Sequence, residues 1–335
     1  MTALAPTLQG FFVERLAGQL GASPNTVAAY RDTFRLLLAF TAERTGTQPS
    51  SIEIGDLDAP LIGAFLAHLE HVRHNSVRTR NNRLAAIHSM FVYAALRHPE
   101  DAATIQRVLA IPPKRHEKNL VTYLTEDEAD ALIEACNRDT WTGRRDHTML
   151  VLAIQTGLRI SELIGLTVAD ITVGTGANVH TIGKGRKERR TPLVPHTVEA
   201  LRAWLTERVW ESSVVPALAD PLFPTSTGKP LSRDDIEHRV ALHVAKAEQS
   251  CPSIRDKHVT THTLRHTCAM RLLHSGVDIT VIALWLGHAQ VTTTSIYLHA
   301  DMTQKEQAIA KVTPPSTKPG RYQPTDTLLA YLDSL

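Results

Sequence analysis

HTLRHTCAMRLLHSGVDITVIALWLGHAQVTTTSIYLHA, residues 262–300, decides how the rest of the chain is read. His262 and Arg265 stand three apart, the spacing that puts two side chains on one helix face. The other face of that helix carries Leu264, Cys268 and Leu272, and Thr261 is its expected cap. The apolar run Val281–Leu286 ends at Gly287, which reads as a helix C-cap, and His288 follows at once. Tyr297 comes nine positions later (297 − 288), on the turn after a helix start formed by Thr292, Thr293 and Thr294. His266 reads as a supporting or structural residue.

A second constellation lies upstream. TGLRISELIGL carries Arg159 at the entry to a short helix, Ser161–Leu166, and IGKGRKERR carries Lys184 in a turn. Taken in order, Arg, Lys, His, Arg, His and Tyr make a site for handling a phosphodiester. Each guanidinium can grip non-bridging oxygens with two parallel hydrogen bonds. The tyrosine is a nucleophile and the lysine a proton donor to a leaving oxygen, with no metal required. Singly, each residue has a plainer reading: an Arg near a helix start pairs with a surface carboxylate, and a Tyr at helical spacing fills a core. The assignment therefore leans on the whole set.

That set resembles the motifs of the tyrosine recombinases, the phage integrase family: TGLRISE, GKGRKER, HTLRH, LGHA and the terminal Tyr297. The likeness covers roughly 125–300 as a catalytic domain, and the first ~110 residues are similar to the family's N-terminal DNA-binding domain. The resemblance implies a catalytic set of Arg159, Lys184, His262, Arg265, His288 and Tyr297. It favours Lys184 over Lys187 as the general acid, and His262 is the expected general base. It implies site-specific recombination of double-stranded DNA through a 3′-phosphotyrosyl intermediate, as in integration, excision or transposition. No metal, ATP or other cofactor is expected. The expected assembly is a homo-oligomer on DNA, a tetramer of synapsed protomers, with a partner recombinase or accessory protein as a further option. Two alternatives stay open: a DNA-binding protein of the same architecture without turnover, and type IB topoisomerase-like relaxation.

Composition sets the frame. A chain of 335 residues exceeds the ~100–200 residues of one ordinary domain, and 43% hydrophobic with 21% charged residues is the balance of a globular protein. The formal charge is only +2 (36 − 34), so a nucleic-acid surface must come from local clustering. Cys136, Cys251 and Cys268 are too few and too scattered for a disulfide framework or zinc site. Neither a signal peptide nor an apolar run of ~20 residues is evident, so a cytoplasmic, nucleoid-associated protein without a membrane span is expected.

The expected fold is mostly α with a small antiparallel sheet. Residues 1–110 read as a helical bundle that clamps DNA. Its helices are Leu8–Leu20, then Val27–Glu43 behind a Ser23 cap and Pro24, then Pro60–Arg73, then Ser76–Leu96 with Leu84, Ile87, Phe91 and Ala95 inward. From 71 to 97 the charge is one-sided: arginines and histidines with no Asp or Glu. A solvated face is the plain reading. Beside the recombinase-like half, Arg73, Arg78, Arg80 and Arg83 become phosphate contacts that set register and salt dependence. The linker 111–123 holds Pro112-Pro113, which breaks helical continuity; Lys114 and Arg115 can lie along the duplex, and composition fits a merely solvated linker equally well.

The catalytic domain, 124–311, opens on a capping box at Thr125–Glu128. A buried helix Gly143–Thr156 follows, closed by Gly157. Three short strands, Val168–Ile171, Asn178–Ile182 and Arg190–Val194, come next, the last two joined by a turn bearing Lys184, Arg186 and Lys187 as DNA contacts. Helices His196–Arg208 and Arg233–Ala247 complete it. Residues 312–335 read as a proline-rich tether and a leucine-striped helix, which the resemblance implies docks in trans on a neighbouring protomer, with folding back in cis as the alternative.

Overall fold

The computed structural model describes residues 3–115, 121–183, 187–212, 217–288, 290 and 293–300. Lys184, Arg186 and residues 312–335, for which a tether and a helix are expected, lie outside the described residues. The chain divides into two units, 1–118 and 119–335.

Unit 1 is helical. α1 (Leu4–Gly10) runs directly into a π-helical stretch, Phe11–Gln19, so the first helix starts four residues before the expected Leu8. α2 (Pro24–Thr45) begins where Ser23 accepts the Thr26 N–H and Pro24 fills a position that has no amide to satisfy. α3 (Ala59–His71) is capped by Asp58, and α4 (Val77–Ala95) by Ser76. Their apolar stripes meet in one core around Phe11, Phe34, Leu37, Phe65, Leu69, Leu84, Ile87 and Phe91. Ala95 is exposed; Ala94 takes the inward position instead. A fifth helix, α5 (Ala102–Leu109), was not expected. Its stripe is only Ile105 and Val108, one turn of apolar spacing, too short to stand out until α4 provides the surface it covers.

Unit 2 is built round α7 (Trp141–Thr156), whose residues from Arg145 to Ile154 are all buried. α6 (Glu126–Glu134) precedes it with both halves of the Thr125–Glu128 capping box formed. α8 (Ile160–Gly165) follows, and then a three-stranded antiparallel sheet in sequence order: β1 (Ile171–Thr172), β2 (Asn178–Ile182) and β3 (Glu188–Pro192). The first strand is shorter than expected because Val168–Asp170 forms a 3-10 turn, closed by Asp170 accepting from Thr167. β3 starts two residues early, at Glu188, and pairs Thr181 with Arg189 and Val179 with Thr191. Strand alternation then puts Arg189 on the same inward side as buried Thr191.

α9 (Pro195–Ser212), α10 (Arg233–Ala247, capped by Ser232), α11 (Thr261–His274), α12 (Ile279–Leu286) and α13 (Ser295–Ala300) complete the unit. The cap of α11 is Thr260 rather than Thr261. Tyr297 sits inside α13, not on a turn, because Thr293 and Thr294 form the turn that leads into that helix.

Two polar clusters lock this scaffold. Asp146, buried in α7, accepts from Arg145, from Arg239 at 3.0 Å and pairs with His243 at 3.0 Å, tying α7 to α10. Glu128 accepts from Lys257 and Ser253, and Leu124 N–H donates to Thr267 Oγ1, so the start of the unit holds the entry and body of α11. Buried carboxylates paired this completely have no unmet acceptor to penalise the fold.

Candidate active site

The site forms where α12 ends. An α-helix leaves its last carbonyls without internal partners and concentrates partial negative charge there. α12 closes on Gly287 in the left-handed conformation, φ 64°. Arg265, from α11, donates to Leu286 O and to Gly157 O, both at 2.5 Å. Arg159, from the loop before α8, donates to Gly287 O at 3.0 Å. Adjacent carbonyls thus hold two guanidiniums side by side. Gly157, the left-handed cap of α7, makes this approach possible: a Cβ there would stand 2.6 Å from Leu286 Cδ2.

One carboxylate serves the cluster. Glu162 accepts from the Arg159 backbone N–H at 2.8 Å and from Arg159 Nη1 at 2.9 Å. It also takes a two-point grip from Arg189, at 3.0 and 2.8 Å. Burial alone would raise its pKa; the bonds from Arg189 and Arg159 overcome that and hold it down to about 2. Three guanidiniums against one carboxylate leave these four residues at +2 (3 − 1). Burial, with Arg159 nearby, lowers Arg265 to about 10, so it still carries its charge at neutral pH.

His288 follows Gly287 directly, and its Nδ1 meets Thr294 Oγ1 at 2.7 Å. Burial first, then the charges of Arg265, Arg159 and Arg189, push its pKa down to about 4, so it is neutral at pH 7. Tyr297 is 1% exposed, and its hydroxyl lies 2.9 Å from His266 Nδ1. Burial raises the phenol to about 12 against the pull of Arg265, while burial and the neighbouring charges lower His266 to about 4. Both groups are therefore neutral at pH 7, and the imidazole tautomer decides which of them donates in the contact. His262 stacks edge-on to His266 with centroids 4.2 Å apart.

Of the residues expected from sequence, Arg159, Arg265, His262, His288 and Tyr297 come together here, and Lys184 lies outside the described residues. Two participants were not singled out. His266, read as supporting or structural, is the imidazole that meets the Tyr297 hydroxyl, a contact that the i, i+4 spacing from His262 could have flagged. Arg189 was quoted within GKGRKERR but not selected; strand alternation, counted from Thr191, was the available signal.

The expected DNA contacts are spread differently. In unit 1, Arg73 and Arg78 are exposed and Arg83 is half-buried. Arg80 is only 6% exposed and reaches Asn81 and Pro112 O, so it braces the end of the bundle instead of facing a phosphate. Lys114 and Arg115 are exposed, and Lys114 pairs with Glu70 at 2.7 Å. Lys187 is exposed in unit 2.

The chain is 51% identical over 335 residues (99% of it and 98% of the relative) to a putative integrase/recombinase, y4rC, of Sinorhizobium fredii. It is 33% identical to the tyrosine recombinase XerC of Pelobacter propionicus, covering 89% of this chain and 92% of that one. Its fold is similar to that of the XerH site-specific recombinase bound to palindromic difH substrate, with TM-score 0.68, 24% identity and 84% and 79% of the two chains covered. Residues 11–98 match the phage integrase N-terminal SAM-like domain. Residues 122–304, which carry the described cluster of three histidines and three arginines around one tyrosine, match the phage integrase family, and the chain belongs to that family, the tyrosine recombinases.

Proposed function

We propose that this recombinase cuts and rejoins double-stranded DNA at defined sites with Tyr297 as its nucleophile. The observation that carries the reading is the pair of guanidiniums fixed on adjacent carbonyls at the end of α12, in the same cluster as a buried tyrosine. The phenol oxygen attacks a DNA phosphorus, a 3′-phosphotyrosyl bond forms, and the P–O5′ bond breaks. The phenol proton passes to a histidine, and the freed 5′-oxygen takes a proton from Lys184. A 5′-hydroxyl of a second duplex then reverses the step on a new partner. One phosphoester replaces another at each stage, so bond energy is retained without ATP.

Arg159 and Arg265 match charge developing on the non-bridging oxygens, commonly the largest contribution to such catalysis. Because their partners already hold them, little reorganisation remains at the moment of reaction. A net +2 suits a phosphodiester that gains a second negative charge in the transition state. His288 hydrogen-bonds the phosphate. His262 and His266 share the neighbourhood of the phenol; the 2.9 Å contact favours His266 as its first acceptor. Tyr297 and Arg265, 1% and 2% exposed, must both be uncovered before a phosphate can reach them.

Residues 1–110 serve as the DNA-clamping domain, 111–123 as linker and 124–311 as catalytic domain, with 312–335 docking on a neighbouring protomer in a tetramer. Arg73, Arg78, Lys114, Arg115, Arg186 and Lys187 contact phosphates. The deciding experiment incubates nicked duplexes carrying candidate sites with the protein or with Tyr297→Phe, in EDTA, on denaturing gels. An SDS-resistant adduct with wild type alone is expected. An adduct that persists in the variant moves the nucleophile elsewhere, and relaxation of supercoils without a defined site would favour the topoisomerase reading.

A further inference from the structure

Arg189 occupies an unusual place for its type. β3 is a short strand whose neighbours alternate outward, yet this guanidinium points inward, and its side chain is 11% exposed. A buried cation is costly unless its hydrogen bonds are met by a paired anion. Glu162 supplies that anion, with one oxygen for each Nη. The same two oxygens hold Arg159, through its backbone N–H and through Nη1. Glu162 has a side chain only 3% exposed and cannot swing away to water. Moving Arg189 therefore moves Glu162, and moving Glu162 releases the backbone and guanidinium of Arg159.

A second feature points the same way. Gly287, whose carbonyl is the other anchor of Arg159, faces Arg189 so closely that a Cβ on it would lie 2.8 Å from Arg189 Nη1. The glycine both caps α12 and leaves room for this guanidinium. Arg189 thus touches both supports of Arg159, the carboxylate and the end of the helix, without sharing Arg159's place beside the nucleophile.

We infer that Arg189 is a positioning residue for strand cleavage: by clamping Glu162 against the end of α12 it fixes the guanidinium of Arg159 where the scissile phosphate binds. Its place on β3 also makes the base of the lysine-bearing hairpin part of the same rigid frame. The inference rests on Tyr297 as nucleophile and Arg159 as phosphate ligand.

Single-turnover cleavage of a nicked suicide duplex by the full chain tests it, since trapped product accumulates even from slow variants. Arg189→Met is expected to slow cleavage about 10- to 100-fold, the scale of a misplaced catalytic group, with duplex affinity within about two-fold. In an Arg159→Ala background the same substitution should cost less than about three-fold, because there is no guanidinium left to position. Arg189→Lys, which keeps the charge but loses the two-point grip, should show the same coupling at smaller size and covers the case in which the methionine variant does not fold. Equal losses in both backgrounds, or loss of DNA binding with full rate at saturating DNA, would overturn the inference. If both variants cleave like wild type, Arg189 positions nothing while the Tyr297 reading stands; if wild type forms no adduct, both readings fall.

Discussion

Arg73 and Arg78 of unit 1 and the three clustered arginines of unit 2 obey opposite rules. In unit 1, Arg73 and Arg78 stand exposed on and beside the α3–α4 connection. In unit 2, Arg159, Arg189 and Arg265 are drawn inward and bonded to one carboxylate and three backbone carbonyls, with Arg265 2% exposed. Exposed cations at a duplex supply affinity and registration, and salt competes with them directly. Fixed, partly desolvated cations supply little extra affinity but meet charge that appears only in the transition state. The difference teaches that residue type alone does not tell a clamp from a catalyst; the number of fixed partners does.

Substitutions should expose this contrast, and the largest effect belongs to Arg265→Ala. It removes the proposed phosphate donor and leaves Gly157 O and Leu286 O without this partner, so cleavage should fall by at least about 10²–10³-fold. Adduct yield against time on a suicide duplex measures it, and a loss below ten-fold would break the distinction between the units.

Next in size is a pH effect carried by partly buried histidines of unit 2. His266 and His288 have folded pKa values of about 4, below the ordinary ~6.5 of an unfolded chain. Between those values the unfolded state binds more protons, so stability must fall as pH drops from ~6.5 towards 4. Glu162 acts lower: its contribution is present above its unfolded value and is lost as pH falls towards about 2. All four tryptophans (Trp141, Trp204, Trp210, Trp285) lie in unit 2, so their fluorescence reports urea unfolding of that unit. The urea midpoint should drop between pH 7 and 5, and His266→Gln should flatten that slope; an unchanged slope would count against a buried neutral His266.

Smaller still, Arg73→Ala and Arg78→Ala should each weaken duplex binding similarly across sequences. Each should reduce the slope of log K against log salt by about 0.9 while leaving the cleavage rate at saturating DNA nearly unchanged. A rate defect at saturation would place these residues with the catalytic arginines instead. The smallest effect is Ser23→Ala, which removes the cap of α2 and should cost unit 1 about 1 kcal/mol, read by thermal unfolding in far-UV circular dichroism. Tryptophan fluorescence should register none of it.

Much of this was legible from the chain alone. Ser23, Ser76, Thr125 and Ser232 announced helix starts, and Gly157 and Gly287 announced ends, because caps are local: a side-chain oxygen reaches an amide two or three residues on. The site's residue types were legible for a similar reason, since the spacing of His262, Arg265 and His266 fixes one helix face. Family resemblance supplied the set as a whole.

What sequence could not settle was decided by contacts far apart in the chain. Arg80 and Arg78 lie two positions apart on one helix, yet one is buried under Pro112 and the other faces solvent, because helix rotation is set by what packs against it. α5 exists because α4 offers it a surface. His266 touches Tyr297 across 31 residues, Arg189 meets Glu162 across 27, and Arg159 finds Gly287 O across 128. The sequence determined which residues can cap, bury or carry charge, since those are properties of side chains and their near neighbours. Only the tertiary structure decided which guanidinium became fixed and which carboxylate shared it, because desolvation and hydrogen-bond geometry exist only once distant segments meet.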